Sequence, residues 1–138
     1  MLKRMMFILI CTLYPWSLWA ASPAPANAKA YIISPANGAE VTNPVTVVFG
    51  LKGMGIAPAG VEKANTGHHH LLIDVEPTPS LDKPIIKDDK HQHFGLGQTE
   101  TSLTLSPGTH TLQLIFADKD HLPHQPALVS EKITIKVK

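Results

Sequence analysis

Along much of this chain apolar and polar residues alternate with a period of two, the spacing of a β-strand whose successive side chains leave opposite faces. In Val45–Leu51, Val45, Val47, Phe49 and Leu51 share one face. Lys132–Lys138 sets Ile133, Ile135 and Val137 inward against outward lysines. In His69–Glu76, Leu71, Ile73 and Val75 share one face, while His68, His70, Leu72 and Asp74 share the other. Shorter strand signals lie at Ala30–Ser34, Thr101–Leu105 and His110–Ala117, with a weak edge strand at Ile85–Lys87. No window holds helical spacing together with capping residues.

Between these runs the turn chemistry is dense. Pro35-Ala36-Asn37-Gly38 is a turn, and in Ser106-Pro107-Gly108-Thr109 the proline and glycine suit the two central positions of a type II turn. That turn predicts that Thr101–Leu105 and His110–Ala117 pair as neighbours. Gly53–Gly67 and Glu76–Lys90 read as long surface loops, which in small domains often carry function. About seven strands with turn signals throughout predict an all-β fold, an immunoglobulin-like antiparallel sandwich with Greek-key connections. The 138 residues suffice for one core, placed at residues 29–138.

Composition narrows the class. A net charge of +1 and 17% charged residues, with no basic run interleaved by aromatics, give no nucleic-acid surface. Met1–Ala21 reads as an export signal: Lys3 and Arg4 are followed by apolar Met5–Leu13 and then by small Ala20-Ala21-Ser22. Pro15 interrupts that stretch, which falls short of the roughly 20 apolar residues of a membrane span. No span is expected after its removal, and the location expected is periplasmic or secreted. The one cysteine, Cys11, lies in this leader behind Ile10, where a lipid-attachment site would need a small residue. The exported chain then has no disulfide and no thiolate. Ser22–Ala28 reads as a short flexible linker.

The candidate chemistry is histidine. All eight imidazoles follow Gly67, in Gly67-His68-His69-His70, His91-Gln92-His93, His110 and Asp120-His121-Leu122-Pro123-His124. His68 and His70 leave one strand face about 7 Å apart, and His91 and His93 repeat the spacing. Taken singly, each pair fits a polar sheet face or a hydrogen-bonded loop, and His121 with His124 fits an exposed turn. Together, two same-face pairs plus His121 and His124 fit the three or four nitrogen ligands of Zn²⁺ or Cu²⁺. Asp74, Asp88, Asp89 or Asp118 could hold a ring by its second nitrogen. His110 shares the parity of Leu112 and Leu114 and reads as a structural corner residue, and His69 as a buried member of the core face.

These motifs, with His93-Phe94-Gly95-Leu96-Gly97-Gln98-Thr99-Glu100 and Leu105-Ser106-Pro107-Gly108-Thr109-His110-Thr111-Leu112, resemble the bacterial exported family of domain of unknown function 4399, over roughly Tyr31–Val137. That resemblance implies no activity. Ser34-Pro35-Ala36-Asn37-Gly38, Leu105–Thr109 and Asp120-His121 also resemble the periplasmic copper-resistance carriers with an immunoglobulin-like sandwich. Those carriers bind copper partly through a histidine at the mature N-terminus, where this chain has Ala21 or Ser22. Only the architecture and compartment are implied. The His-x-His pairs are similar to those of copper-zinc superoxide dismutases, whose expected disulfide is missing here.

Three functions follow as expectations. The first is an exported carrier or sensor of copper or zinc, with His68, His70, His91 and His93 as ligands and His121 and His124 in reserve. The second is a metal-free module that binds an envelope protein or a glycan through its histidine-rich loops. The third is a metal-dependent enzyme with Glu100 or Asp118 as general base. Gly-x-Ser-x-Gly, His-Glu-x-x-His and phosphate-binding glycine loops are absent from the sequence.

Overall fold

The structure is a computed structural model that describes residues 20–138. The leader expected in Met1–Ala21, Cys11 included, lies outside the described residues except for Ala20 and Ala21. Ten strands follow in chain order: β1 (Lys29–Ser34), β2 (Glu40–Val41), β3 (Val45–Lys52), β4 (Gly55–Ile56), β5 (Thr66–Ile73), β6 (His91–His93), β7 (Glu100–Leu103), β8 (Gly108–Ala117), β9 (Pro123–Val129) and β10 (Ile133–Val137). They build two sheets. One has the order β1-β3-β7, the other β2-β10-β8-β5-β4, with β6 added to β5 and β9 to β8. The chain passes between the sheets repeatedly, in the manner of an immunoglobulin-like sandwich. All pairs are antiparallel except β2 along β10 and β4 along β5. Among the described residues no helix is long and apolar enough to cross a membrane.

The alternation read from the sequence is the alternation that packs. Val45, Val47 and Phe49 of β3 face Leu71 and Ile73 of β5, Leu112 and Leu114 of β8, and Ile133, Ile135 and Val137 of β10 across one core. Val47, Leu71, Leu112 and Leu114 are wholly buried, each burial removing about 1.5–3 kcal/mol of apolar exposure. Tyr31 lies across Gly50, its cross-strand partner, where any Cβ would meet the ring.

Several elements depart from the sequence reading. β7 and β8 are not a hairpin: β7 pairs with β3 in one sheet, whereas β8 lies in the other. The Asn43 side chain clamps the corner, donating to the Leu105 carbonyl at 2.7 Å and accepting the Leu105 N–H at 3.0 Å. Ile85–Lys87 forms no strand. The Ile85 N–H donates to the His121 carbonyl at 2.9 Å, and the Ile85 side chain plugs against Leu72, Ile115 and Ala117. β5 starts earlier and stops earlier than expected, because Asp74 takes the left-handed φ of 54° that ends a ladder. His91–His93 forms a short strand, and Pro123–Val129, which shows no clean alternation in sequence, forms β9. Residues 22–24 lie along β9, with the Ala24 N–H donating to the Gln125 carbonyl at 2.9 Å and the Gln125 N–H to that of Ser22 at 2.9 Å.

His110 is a corner staple. Its Nδ1–H donates to Asp74 Oδ2 at 2.7 Å and its Nε2–H to the Ser106 carbonyl at 2.8 Å, while Asp74 Oδ1 accepts the Thr111 N–H at 2.8 Å. The bond to Asp74 raises the pKa of His110 above its usual value. Ser106 Oγ lies 3.4 Å from Nε2, but that nitrogen's proton is already engaged by the carbonyl, so the trio is a brace and not a nucleophile with its base.

His69 points into the core between Phe49 and Phe116, with ring centroids 5.1 and 5.0 Å away. Neither of its nitrogens has a hydrogen-bond partner, and burial pushes its pKa down to about 4. An unbonded buried polar group costs more than an apolar one of similar size. His69→Leu is therefore expected to raise the free energy of unfolding by about 1–2 kcal/mol at neutral pH, read as a higher urea midpoint at unchanged slope. A lower midpoint would sink the view of this ring as an unbonded core residue.

Candidate metal centre

β5 is covered on both faces along nearly its whole length. Every residue from Gly67 to Ile73 is buried. The Leu71 and Ile73 face packs into the sandwich. The opposite face, carrying His68, His70 and Leu72, is covered by Val75, Leu81 and Ile85 of the loop after β5 and by His121 of the turn after β8. His68 and His70 are 0% and 1% exposed, so the face that looks polar in sequence is an interior.

Two further rings are brought to this face. The β5–β6 register sets His93 directly opposite His70. On the other side His68 lies opposite Ala117, and a turn over residues 118–122 folds back to hang His121 over His68. Backbone conformation makes both placements possible. His121 has a left-handed φ of 65°, a region in which histidine is found more often than most side chains. The His93 ring folds against Gly95 so closely that a Cβ there would overlap it.

The result is a group of four imidazoles, His68, His70, His93 and His121, each offering one ring nitrogen within 4.8 Å of the others. His68 Nε2 lies 3.1 Å from His70 Nε2 and also 3.1 Å from His121 Nδ1. Ring centroids of His93 stand 4.9, 5.0 and 4.7 Å from those of His68, His70 and His121. A ring nitrogen carries either one proton or one lone pair, so His68 Nε2 can make one full bond to its two neighbours, not two. Buried His93 Nε2 has no partner at all. Protons alone leave this group short of bonds, whereas one cation would take every lone pair.

The spacing suits a cation. Adjacent nitrogens at ~2.0–2.1 Å from one ion are ~2.9–3.4 Å apart, from square-planar to tetrahedral. The two 3.1 Å separations fall in that range, and the wider ones need roughly 1 Å of closure. The donor set is four imidazoles with neither sulfur nor carboxylate, which suits Cu²⁺ and Zn²⁺ rather than Mg²⁺ or Ca²⁺.

Electrostatics disfavour protonation of His68, His70 and His93. Burial, then the nearby His93 and His121, push His68 down to about 4. Burial, then His68 and His93, drive His70 lower still. Burial, then His121 and Lys87, lower His93. Neutral imidazole is the form that binds metal.

The other two candidate ligands lie apart. His91 shares the face but sits beside Leu72, one pleat further along β6, where its Nδ1–H donates to Asp88 Oδ1 at 2.8 Å. His124 lies in β9, stacked on Phe116 at 5.6 Å, and its Nε2–H donates to the Thr66 carbonyl at 3.2 Å. The carboxylates considered as ring holders serve elsewhere: Asp74 holds His110 and Asp88 holds His91, while His68 Nδ1 and His70 Nδ1 have no partner. Among the described residues the group draws its ligands only from the six histidines singled out in the sequence. Gly95, a glycine two residues beyond a His-x-His pair and legible in sequence only as a turn former, makes room for the His93 ring.

The family model described as Domain of unknown function (DUF4399) matches residues 47–138, a span that holds all four rings. No curated protein and no solved structure matches the chain.

Two outcomes test this geometry without any metal. Gly95→Ala should expel the His93 ring toward solvent, so that its NMR titration midpoint rises toward the ordinary imidazole value; an unmoved midpoint would count against the packing described. Unfolded histidine titrates near 6.5, but His68 and His69 do so near 4 in the fold and His70 lower. The unfolded chain thus binds more protons in this window, and stability falls as pH drops from 6.5 through 4. His110, whose value is raised, has the opposite sign and loses its contribution as pH rises through that value. The urea midpoint of metal-free protein should decline over pH 6.5–4; a flat profile would mean that the rings are solvated.

Proposed function

The chain belongs to the family of domain of unknown function 4399, and we propose that it is an exported β-sandwich that binds one transition-metal ion, copper or zinc, as a carrier or sensor. The observation that carries this reading is the convergence of four ring nitrogens, from β5, β6 and the turn at residues 118–122, within 4.8 Å and with too few protons to bond one another. His68, His70, His93 and His121 are the ligands. The leader-like Met1–Ala21 supports a periplasmic or secreted location.

Binding is favoured over catalysis by the surroundings. Four protein ligands leave no position that the fold reserves for water, unlike a three-ligand catalytic site. The bases considered for an enzyme are also out of play. Glu100 opens β7 in the opposite sheet, and both oxygens of Asp118 already accept hydrogen bonds from Ser22, Asp120 and Leu122. His93 and His121 are partly exposed, so an ion can enter and leave from their side.

Elemental analysis of protein purified without a histidine tag should find about one copper or zinc per chain, bound more tightly than micromolar. His93→Ala and His121→Ala, at partly exposed positions that spare the core, should each weaken binding at least about tenfold. His91→Ala should leave it unchanged. Metal-free protein with no affinity better than micromolar for either ion would end this reading and favour a metal-free binding module for an envelope protein or glycan.

A further inference from the structure

We infer that Ser22 and Asp118 are positioning residues for the imidazole group, the segment ahead of the sandwich acting as a latch on the turn that presents His121. This inference rests on the metal-binding reading above and specifies how that site is held in shape. Asp118 is 4% exposed, and the turn is wound around its carboxylate. Oδ1 accepts the Asp120 N–H at 3.0 Å and the Leu122 N–H at 3.1 Å. The main chain closes the same turn, with the Asp118 N–H donating to the Leu122 carbonyl at 2.9 Å and the His121 N–H to the Asp118 carbonyl at 3.0 Å. His121 leaves this turn at its left-handed φ and places Nδ1 3.1 Å from His68 Nε2.

The remaining oxygen, Asp118 Oδ2, accepts the Ser22 hydroxyl at 2.7 Å, across 96 residues of sequence. Ser22 is itself held, because residues 22–24 run parallel to β9 through a bridge between Pro23 and Gln125. Burial works against the Asp118 carboxylate, but the donors from Ser22, Asp120 and Leu122 outweigh it and keep Asp118 ionised below its usual range. With Ser22 removed, Oδ2 loses the one side-chain donor that orients it, and the carboxylate is free to rotate away from the amides that shape the turn. The ligand most directly affected is His121, which belongs to no strand. His68 and His70 are fixed by β5 and His93 by β6. Outer groups of this kind commonly change metal affinity without touching the ion.

The test uses the purified chain and Cu²⁺, with Ser22→Ala and the hydroxyl-retaining Ser22→Thr. S22A should release Cu²⁺ to a chelator about three- to tenfold faster than wild type. Its copper EPR spectrum should lose the contribution of one nitrogen, while the thermal midpoint of the metal-free protein stays near that of wild type. S22T should restore both rate and spectrum. Wild-type rate and spectrum in S22A would overturn the latch and leave the metal reading intact. A lowered thermal midpoint with an unchanged spectrum would likewise overturn it, since that is the mark of a purely structural contact. A wild-type chain that binds neither Cu²⁺ nor Zn²⁺ would remove the metal reading and this inference together.

Discussion

A single nitrogen, His68 Nε2, has two neighbouring ring nitrogens at 3.1 Å and the capacity to bond only one of them. Much of the molecule's unusual detail is arranged around that shortage. In water it would vanish, because solvent would supply the missing donor or acceptor. It persists here because His68 sits in the middle of a strand buried on both faces, with no room for bulk water. Desolvation then disfavours the charged forms of His68, His70 and His93, and ring nitrogens that point together form a place for a cation.

The sandwich supplies stiffness, and the loops supply the departures from regular structure. β5, clamped between β8 and β6, sets His68, His70 and His93 by ladder register alone. His121 needs more: a left-handed residue, a turn wound on a buried carboxylate, and Ala117 as the small side chain opposite His68. Asp74 and His121, both in the left-handed region, border the same strand, one ending it and the other roofing it. Irregularities of this sort collect where local preference yields to a site.

Eight histidines in one small domain do not share one job. His110 is bonded through both nitrogens and holds its proton more tightly because Asp74 accepts a hydrogen bond from it, bracing a corner between sheets. His69 is core filling between two phenylalanines. His91 is tied to Asp88, and His124 is stacked on Phe116. The four that remain, His68, His70, His93 and His121, find no carboxylate and are the four whose ring nitrogens meet.

Periodicity alone determined the class of fold and the composition of the core. Val45, Val47, Phe49, Leu71, Ile73, Ile133, Ile135 and Val137 declare their inward face by parity, which depends only on the pleat. It also determined that His68 and His70 share a face, and that any site built beyond Cys11, the one cysteine, must use imidazole or carboxylate rather than thiolate. Tertiary structure decided which histidines join them. His93 rather than His91 enters because the β5–β6 register sets it opposite His70, and a register between strands separated by a long loop leaves no trace in either strand by itself. His121 rather than His124 enters because a turn anchored by Asp118, with Ser22 from far up the chain, reverses the backbone over Ala117. The pairing of β7 with β3 and not with β8 was likewise hidden, since the proline-glycine turn permits a hairpin but the Asn43 clamp makes a corner. Parity is a property of neighbours in sequence; convergence is a property of neighbours in space.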